Sequence, residues 1–169
     1  MTLRICVLTI SDSRTLENDT SGEALVSRLT AAGHALHERA LIRDDIYAIR
    51  AIVSGWIAAT GPQIVLTTGG TGVTGRDVTP EAFHSVYEKE IAGFGELFRW
   101  LSYEKIGTST IQSRATAGVA GGTYLFALPG SPSSCRDAWQ DILVHQLDNR
   151  FRPCNFVEFM PRLQEHLKG

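Results

Sequence analysis

The sequence predicts an α/β fold in which an open, mostly parallel sheet carries helices on both faces, giving three layers. Two observations support this prediction. Apolar runs such as Leu3–Ile10 lack polar alternation, which is typical of parallel strands buried on both faces. Segments with helical spacing alternate with these runs along the chain. Sheets of this class bind ligands at the carboxyl ends of their strands, so the loops at that edge are the first candidates for a site.

The first helix and the second strand follow the opening strand. Thr20 with Glu23 three residues later forms a capping box, and Gly33 offers a stop, so we expect a helix between Thr20 and Gly33. Leu36–Ile42 alternates apolar and polar residues, which predicts a strand nearer the edge of the sheet.

The next helix and strand repeat this order. Asp44 or Asp45 can cap a helix that carries Trp56 on its apolar face and ends near Gly61. Ile64–Thr68 is a short apolar run and predicts a third strand.

The second half of the chain continues the alternation. Thr79 predicts an N-cap before a proline-started helix, and a further helix covers about Phe94–Tyr103. Thr123–Leu128 is a buried strand, and the turn at Pro132 enters a helix with Trp139 on its apolar face. We expect both tryptophans of apolar helix faces, Trp56 and Trp139, to lie in the core.

Composition limits the function classes. The chain of 169 residues is interpreted as a single domain, residues 1–169, and 16 Lys and Arg against 18 Asp and Glu leave no basic footprint for nucleic acid. No apolar stretch approaches the roughly 20 residues of a membrane span, so we expect a cytoplasmic protein that binds no membrane. Cys6, Cys135 and Cys154 have no metal or disulfide spacing and are expected to be free thiols.

The most informative segment is the loop from Thr67 to Glu81, TTGGTGVTGRDVTPE, which leaves a buried strand and reaches a helix N-terminus. Glycines allow backbone amides to turn toward one ligand, and a following helix end favours negative charge. The loop therefore predicts a phosphate or pyrophosphate site. A β-branched residue at Gly72 should block close backbone approach and resist positive φ.

Two better-known motifs fit this loop less well. Gly70, Gly72 and Gly75 match a dinucleotide fingerprint, but the helix begins too late and the strand is not the first of the fold. The loop also resembles a P-loop, yet Arg76 and Asp77 stand where Lys and Ser or Thr are needed. Neither a nicotinamide site nor a Walker-type hydrolase is favoured.

Five ordered segments together resemble the MoaB/Mog family of molybdopterin-binding proteins. They are TISDS (9–13), TTGGTGVTGRDVTPEA (67–82), GFGELFRWLS (93–102), GTSTIQSRATAG (107–118) and LPGSP (128–132), and the third, the fourth and the closing RPCNF resemble the MoaB branch. The resemblance implies a three-layer fold that binds molybdopterin. In Mog-type and eukaryotic relatives it also implies adenylation of the pterin by ATP with Mg²⁺. Homo-oligomers, trimers or hexamers, and contacts with other molybdenum cofactor biosynthesis proteins are further expectations.

Two acids are the candidate catalytic and metal-binding residues. Hard cations prefer carboxylate oxygens, so Asp77 is expected to bind Mg²⁺ or its hydration shell, unless it only forms a local turn. Asp44 follows the second strand and matches an acidic position of the family, and Asp45 competes with it for this role. Either one can instead simply cap the following helix.

The remaining candidates are expected to bind the substrates. They are Ser11, Asp12, Gly69, Gly70, Thr71, Gly72, Ser109, Ser113, Arg114, Pro129, Gly130 and Ser131. The resemblance makes Ser109, Ser113 and Arg114 candidates for binding the pterin phosphate. The guanidinium of Arg114 suits bidentate binding of a phosphate. A surface or intersubunit salt bridge is the alternative role of Arg114. The alternative role of Ser11 and Asp12 is to form a turn. The alternative for residues 129–131 is an ordinary turn between a strand and a helix.

Three function classes remain open. The intact RDVTPE favours an adenylyltransferase over a molybdopterin carrier, and a third class is an assembly protein that acts through its oligomer surfaces. Phe94, Leu97, Phe98 and Leu101 form an apolar helix face that must be covered, and the neighbouring Trp100 suggests a subunit contact.

Overall fold

The computed structural model describes residues 1–167, in which six strands form one sheet. The strands are β1 (Arg4–Ile10), β2 (Ala35–Ile42), β3 (Ile64–Thr68), β4 (Lys89–Glu90), β5 (Thr116–Ala120) and β6 (Thr123–Leu128). The helices are α1 (Thr20–Ala31), α2 (Ile46–Ala58), α3 (Thr79–His84), α4 (Ala92–Ile106), α5 (Pro132–Ala138), α6 (Val144–Gln146) and α7 (Phe156–Phe159). A π-helical turn, Trp139–Leu143, joins α5 to α6.

The strand order is β2-β1-β3-β6-β5-β4. The pairs β2–β1, β1–β3 and β3–β6 are parallel, whereas β5 runs antiparallel to both β6 and β4. The predicted open, mostly parallel sheet is therefore confirmed, and β2 is an edge strand as expected. Because β1, β3 and β6 are parallel neighbours, their carboxyl ends meet at one edge of the sheet.

Two apolar clusters, one on each face of the sheet, make up the core. Alternate residues of β1 divide between them, because successive side chains of a strand point to opposite faces. Ile5 and Val7 enter the cluster that contains α1 and α5, and Cys6 and Leu8 enter the cluster that contains α2 and α3. This arrangement confirms the predicted three layers.

Five other residues behave as expected. Trp139 and Trp56 are buried in the first and second cluster respectively, which confirms them as core residues. All three cysteines are unpaired, Cys6 and Cys135 in the interior and Cys154 at the surface.

Within residues 1–167, no helix combines the length and apolar character needed to cross a membrane.

The predicted capping box of α1 is wrong by one residue. The N-cap is Asp19 rather than Thr20, and its carboxylate accepts a hydrogen bond of 2.9 Å from the Gly22 amide. Asp19 is buried, and it also accepts a bond of 2.6 Å from the Thr9 hydroxyl of β1. A carboxylate fixed to the sheet in this way determines where the helix begins, and Glu23 does not complete a box with Thr20.

The predicted cap of α3 is also wrong. Val78 occupies the N-cap position and makes no side-chain cap bond, while the Thr79 hydroxyl donates instead to the Gly69 carbonyl at 2.8 Å.

The cap of α2, by contrast, is decided between the two predicted aspartates. Asp45 is the N-cap and accepts bonds of 2.9 and 2.8 Å from the amides of Tyr47 and the next residue.

Two strands were not anticipated. No strand was predicted in the stretch before β6, but it forms a 3-10 turn, Gly107–Gln112, followed by β5. The sequence of β5, TAGVA, consists of small residues without a strong apolar pattern, and β4 has only two residues. β5 forms a strand through its pairing with β6, and β4 through its pairing with β5, and not from local propensity.

Candidate functional site

A cleft of about 560 Å³ opens at the carboxyl ends of β1, β3 and β6, the edge that the sequence indicated. Most of the predicted site residues line it, namely Ser11, Asp12, Asp44, Gly69, Gly70, Thr71, Gly72, Asp77, Ser113, Pro129 and Gly130. Ser109, Arg114 and Ser131 do not line this cleft. Ser109 is exposed in the 3-10 turn after α4.

The floor of the cleft is the glycine loop, defined here as residues 69–78 between β3 and α3. The Gly69 amide donates to the Leu128 carbonyl at 3.0 Å, and the Thr79 amide donates to the Gly70 carbonyl at 3.0 Å. Among residues 1–167, no hydrogen bond takes up the amides of Gly70, Thr71 and Gly72. These amides are consequently available to an anionic ligand.

The glycines of this loop serve two purposes. Gly69 and Gly70 have φ of 103° and 69°, conformations that favour glycine. Gly72 has no positive φ, so the strain expected there is wrong. A Cβ at Gly72 would instead lie 2.7 Å from Asp77 Oδ2, and one at Gly70 would lie 3.0 Å from Asp44 Oδ1. The absence of side chains therefore lets both carboxylates lie against the loop.

Arg114 holds the glycine loop from outside the cleft. Its Nε donates to the Gly72 carbonyl at 2.6 Å and its Nη2 to the Asp77 carbonyl at 3.0 Å. Its Nη1 forms an ion pair with Glu81, and that guanidinium holds the pKa of the Glu81 carboxyl below its usual range. The ion pair with Glu81 matches the salt-bridge alternative for Arg114, and the pterin phosphate as its partner, which the family resemblance implied, stays a prediction.

Asp77 and Asp44 approach the cleft from different segments. Asp77 Oδ2 accepts bonds of 2.8 Å from both the amide and the hydroxyl of Thr74, so the side chain also stabilises the local turn. Asp44 follows β2 and lines the cleft, while Asp45 is occupied as the cap of α2. The structure thus separates the two adjacent aspartates, which the sequence had left as alternatives.

The acids of the cleft repel one another. Burial raises the pKa of Asp44, and the negative charges of Asp12 and Asp77 raise it further. Asp12 differs because its carboxylate accepts a hydrogen bond from Arg76 Nε at 2.8 Å, which lowers its pKa. The side of the cleft that carries these three acids, called the acidic side below, has more negative charge than Arg76 alone can neutralise.

This acidic side is compatible with Mg²⁺ bound partly by substrate. In residues 1–167, no group of three or more His, Cys, Asp or Glu side chains is arranged to hold a metal ion. Mg²⁺ commonly uses only one or two carboxylates and completes its shell with water and substrate phosphates. A divalent cation would relieve the repulsion between Asp44 and Asp77. The carboxylates of these two residues therefore fit as ligands of such an ion.

Pro129 and Gly130, which follow β6, also line the cleft. The Pro129 carbonyl accepts a bond of 2.8 Å from the Thr68 hydroxyl, and the Gly130 carbonyl accepts one of 2.7 Å from the Ser21 hydroxyl. Ser131 caps α5 by accepting a bond from the Ser134 amide at 3.1 Å. Residues 129–131 thus use many of their polar groups in holding the fold.

Two serines of the site differ in their bonding. The Ser11 hydroxyl accepts bonds from the amides of Ser13 and Arg14 at 3.3 and 3.1 Å, so it forms a turn at the rim. The Ser113 hydroxyl oxygen is buried without a partner in the described chain, although the residue lines the cleft. A buried hydroxyl without a partner costs free energy, so Ser113 has a donor and an acceptor to offer a ligand.

Sequence reasoning missed several residues of the cleft wall. Phe98, Ser102 and Ile106 reach it from α4, and Arg14 reaches it from the loop after β1. The three α4 residues recur at four-residue spacing, but nothing in that spacing indicates a ligand in place of the core. Arg14 had a signal, because it lies two residues after Asp12 in the same turn.

Comparison with known proteins places these observations in a family. A family model described as "Probable molybdopterin binding domain" matches residues 6–149. Molybdenum cofactor biosynthesis protein B of Escherichia coli (strain K12) is 54% identical over 153 residues, which cover 90% of each chain.

Solved structures agree with this match. A crystal structure of molybdenum cofactor biosynthesis protein B has a TM-score of 0.87 at 37% identity and covers 98% of both chains. The tungsten cofactor synthesizing protein MoaB from Pyrococcus furiosus has a TM-score of 0.75 at 28% identity, covering 99% of this chain and 98% of that one.

Proposed function

The chain belongs to the MoaB/Mog family of molybdopterin-binding proteins of molybdenum cofactor biosynthesis, and on this basis we propose that it binds molybdopterin and transfers AMP to it from ATP. The observation that carries the proposal is the position of two crowded carboxylates, Asp44 and Asp77, against a loop with unbonded amides. Such a loop suits phosphate oxygens, and such acids suit the metal that accompanies a nucleotide triphosphate.

The proposed reaction is a nucleotidyl transfer. An oxygen of the pterin's terminal phosphate attacks the α-phosphorus of ATP, a new P–O bond forms, the bond to the β-phosphate breaks and pyrophosphate leaves. Reactions of this kind depend mainly on positioning and on neutralisation of charge. Mg²⁺, held by Asp77 and Asp44, would supply the neutralising charge.

The chain's own residues have the remaining roles. The amides of Gly70, Thr71 and Gly72 bind phosphate oxygens, and the Ser113 hydroxyl donates to the pterin phosphate. Arg114 keeps the loop in place through the Gly72 and Asp77 carbonyls. In this proposal Arg114 is therefore a positioning residue.

The proposal is tested by incubating the protein with molybdopterin, ATP and Mg²⁺ and identifying the products by mass spectrometry. We expect adenylated molybdopterin and pyrophosphate in equal amounts, and no product when the metal is removed with a chelator. Bound but unmodified pterin under the same conditions would mean that the protein is a molybdopterin carrier and not an adenylyltransferase.

We further propose that the protein forms homo-oligomers, trimers or hexamers, through α4. Phe94 and Phe98 are buried and Leu101 is partly covered within the subunit, but Trp100 and Leu97 remain 65% and 40% exposed. Exposed apolar side chains on one helix favour a contact with another subunit. A cytoplasmic location and contacts with other cofactor biosynthesis proteins belong to the same proposal.

Trp100→Glu tests the contact, because it places a charge where desolvation is expected. We expect a smaller mass by light scattering and an unchanged free energy of unfolding of the isolated subunit, whereas Ser27→Glu on the exposed face of α1 should keep the wild-type mass. A monomeric wild-type protein, or an unchanged mass in the Trp100 variant, would contradict the proposal.

A further inference from the structure

Arg14 is a cation of the cleft that is not neutralised by a carboxylate. Arg76 also lines the cleft, but it is paired with Asp12, and Arg114 lies outside and is paired with Glu81. No ion pair in residues 1–167 involves Arg14. A partly buried guanidinium without a carboxylate partner is unusual in a cleft. Water reaches only part of the group and offsets only part of the free energy that its charge loses on desolvation.

The position of Arg14 is fixed from one edge of its guanidinium. Nη1 donates to the hydroxyls of Thr20 and Ser21 at 3.3 and 3.0 Å, both in the first turn of α1. Ser21 donates its own hydrogen to the Gly130 carbonyl at 2.7 Å, which leaves its lone pairs for Arg14. The side chain is therefore held in place without any loss of its charge.

The other edge of the guanidinium remains available. Nε and Nη2 form the side-on pair of donors, and neither has a hydrogen-bond partner in the described chain or counts among its buried unpaired atoms. Two parallel N–H donors match two oxygens of a phosphate.

Arg14 lines the same cleft as the acids, but its hydrogen bonds lead to a different segment. Its partner Ser21 connects it to Gly130, whereas the carboxylate of Asp12 is paired with Arg76. The guanidinium of Arg14 is therefore a positive charge of the cleft that is separate from the Asp12–Arg76 pair and can attract a negatively charged group of a ligand.

We propose that Arg14 binds a phosphate group of a ligand in the cleft through Nε and Nη2. This inference rests on the proposed function, because the phosphate is that of one of its two substrates. The pterin's terminal phosphate and a phosphate of ATP have the same chemistry at a guanidinium, and binding experiments distinguish them.

The first experiment measures binding of inorganic pyrophosphate by calorimetry in the presence of Mg²⁺. We expect Arg14→Gln to weaken binding about tenfold or more, and Arg14→Lys to restore part of it as a point charge. Arg43→Gln is the matched control, because Arg43 is close enough to affect the pKa of Asp12 but does not line the cleft. Binding by Arg14→Gln equal to that of wild type, or equal losses in both Gln variants, would overturn the proposal.

The second experiment repeats the titration with ATP and with molybdopterin as separate ligands. A loss confined to one of them identifies the phosphate that Arg14 binds, and no loss with either overturns the inference. Failure of the proposed function is distinguishable, since a wild-type protein that binds both ligands without forming adenylated pterin refutes the transfer and leaves the Arg14 comparison valid. An unfolding curve for each variant excludes misfolding as the cause.

Discussion

Two neighbouring strands, β3 and β6, each lead into a helix with proline near its start, yet their connections differ in what they do with their polar groups. In the short connection after β6, Ser131 caps α5 through the Ser134 amide. In the glycine loop after β3, α3 has no side-chain cap, and Thr79 donates to the Gly69 carbonyl instead. The short connection stabilises its own helix, whereas the long one directs amides and a carboxylate toward the cleft.

The two connections are held together where they leave the sheet. The Gly69 amide donates to Leu128, and the Thr68 hydroxyl donates to the Pro129 carbonyl. A substitution where the two connections touch should therefore disturb both of them. A substitution elsewhere in one connection should disturb only that connection.

The largest effect is expected from Gly69→Ala, at the shared contact. Gly69 has φ of 103°, and a Cβ there would lie 2.1 Å from the Ile10 carbonyl oxygen, a backbone atom that cannot move without β1. We expect a loss of about 3 kcal/mol in the free energy of unfolding, measured by urea denaturation, together with loss of ligand binding.

Gly130→Ala is the matched control in the other connection. Its Cβ would meet Gly69 Cα at 3.4 Å, an ordinary contact, and the residue has no positive φ. We expect less than about 1 kcal/mol of destabilisation. Equal losses in the two variants would mean that the connections do not differ in the way described.

The next effect concerns activity and not stability. Asp77→Asn should lower the rate of adenylation about 100-fold or more, because it removes charge from the acidic side. The amide oxygen of Asn can still accept from Thr74, so the fold of the loop should persist.

Asp45→Asn serves as the control for Asp77→Asn, since asparagine caps helices as well as aspartate does and Asp45 does not line the cleft. Its rate should stay close to that of wild type. Turnover at the wild-type rate in the Asp77 variant would remove Asp77 from the metal-binding role.

The same two connections show how far the sequence alone can predict this molecule. The parallel strands were predictable because each is an apolar run, and β3 and β6 have the predicted bounds. Their carboxyl ends located the cleft. The antiparallel β5 was not predictable, because its small residues become a strand only through pairing with β6.

The roles of individual residues were less accessible to sequence reasoning. Either of the adjacent aspartates can cap a helix, and only the folded backbone shows that Asp45 is the residue that caps α2. The position of Arg114 depends on the approach of β5 to the glycine loop, a contact between segments far apart in the chain. Long-range contacts of this kind leave no periodic pattern in a single sequence.

A smaller effect is expected from Ser131→Ala, in the short connection. Loss of the cap should destabilise the protein by about 1 kcal/mol in urea denaturation, and Ser131→Asp should restore stability because aspartate also caps helices. We expect the adenylation rate of both variants to remain within about twofold of wild type. A large loss of activity without a loss of stability would assign Ser131 a ligand role after all.

The smallest effect is expected at Asp44, whose negative charge lies against the glycine loop. The folded-state pKa of Asp44 is raised, so between the ordinary value for aspartate and the raised one the folded protein binds more protons than the unfolded chain. Stability is therefore lost as pH rises through this window, and Asp44→Asn should be more stable than wild type at pH 7, by up to roughly 1 kcal/mol because solvent screens the repulsion.

At pH 3 that advantage should disappear, because the wild-type carboxyl is then protonated in both states. Asp12→Asn provides the opposite sign, since Arg76 lowers the pKa of Asp12 and its charged form contributes stability above the ordinary range. Urea denaturation at both pH values with a chelator present decides the comparison, and added Mg²⁺ should stabilise wild type more than Asp44→Asn. If Asp44→Asn and wild type instead unfold at the same urea concentration at pH 7, the acids are not crowded, and the strongest physical reason for a cation at this side of the cleft is lost.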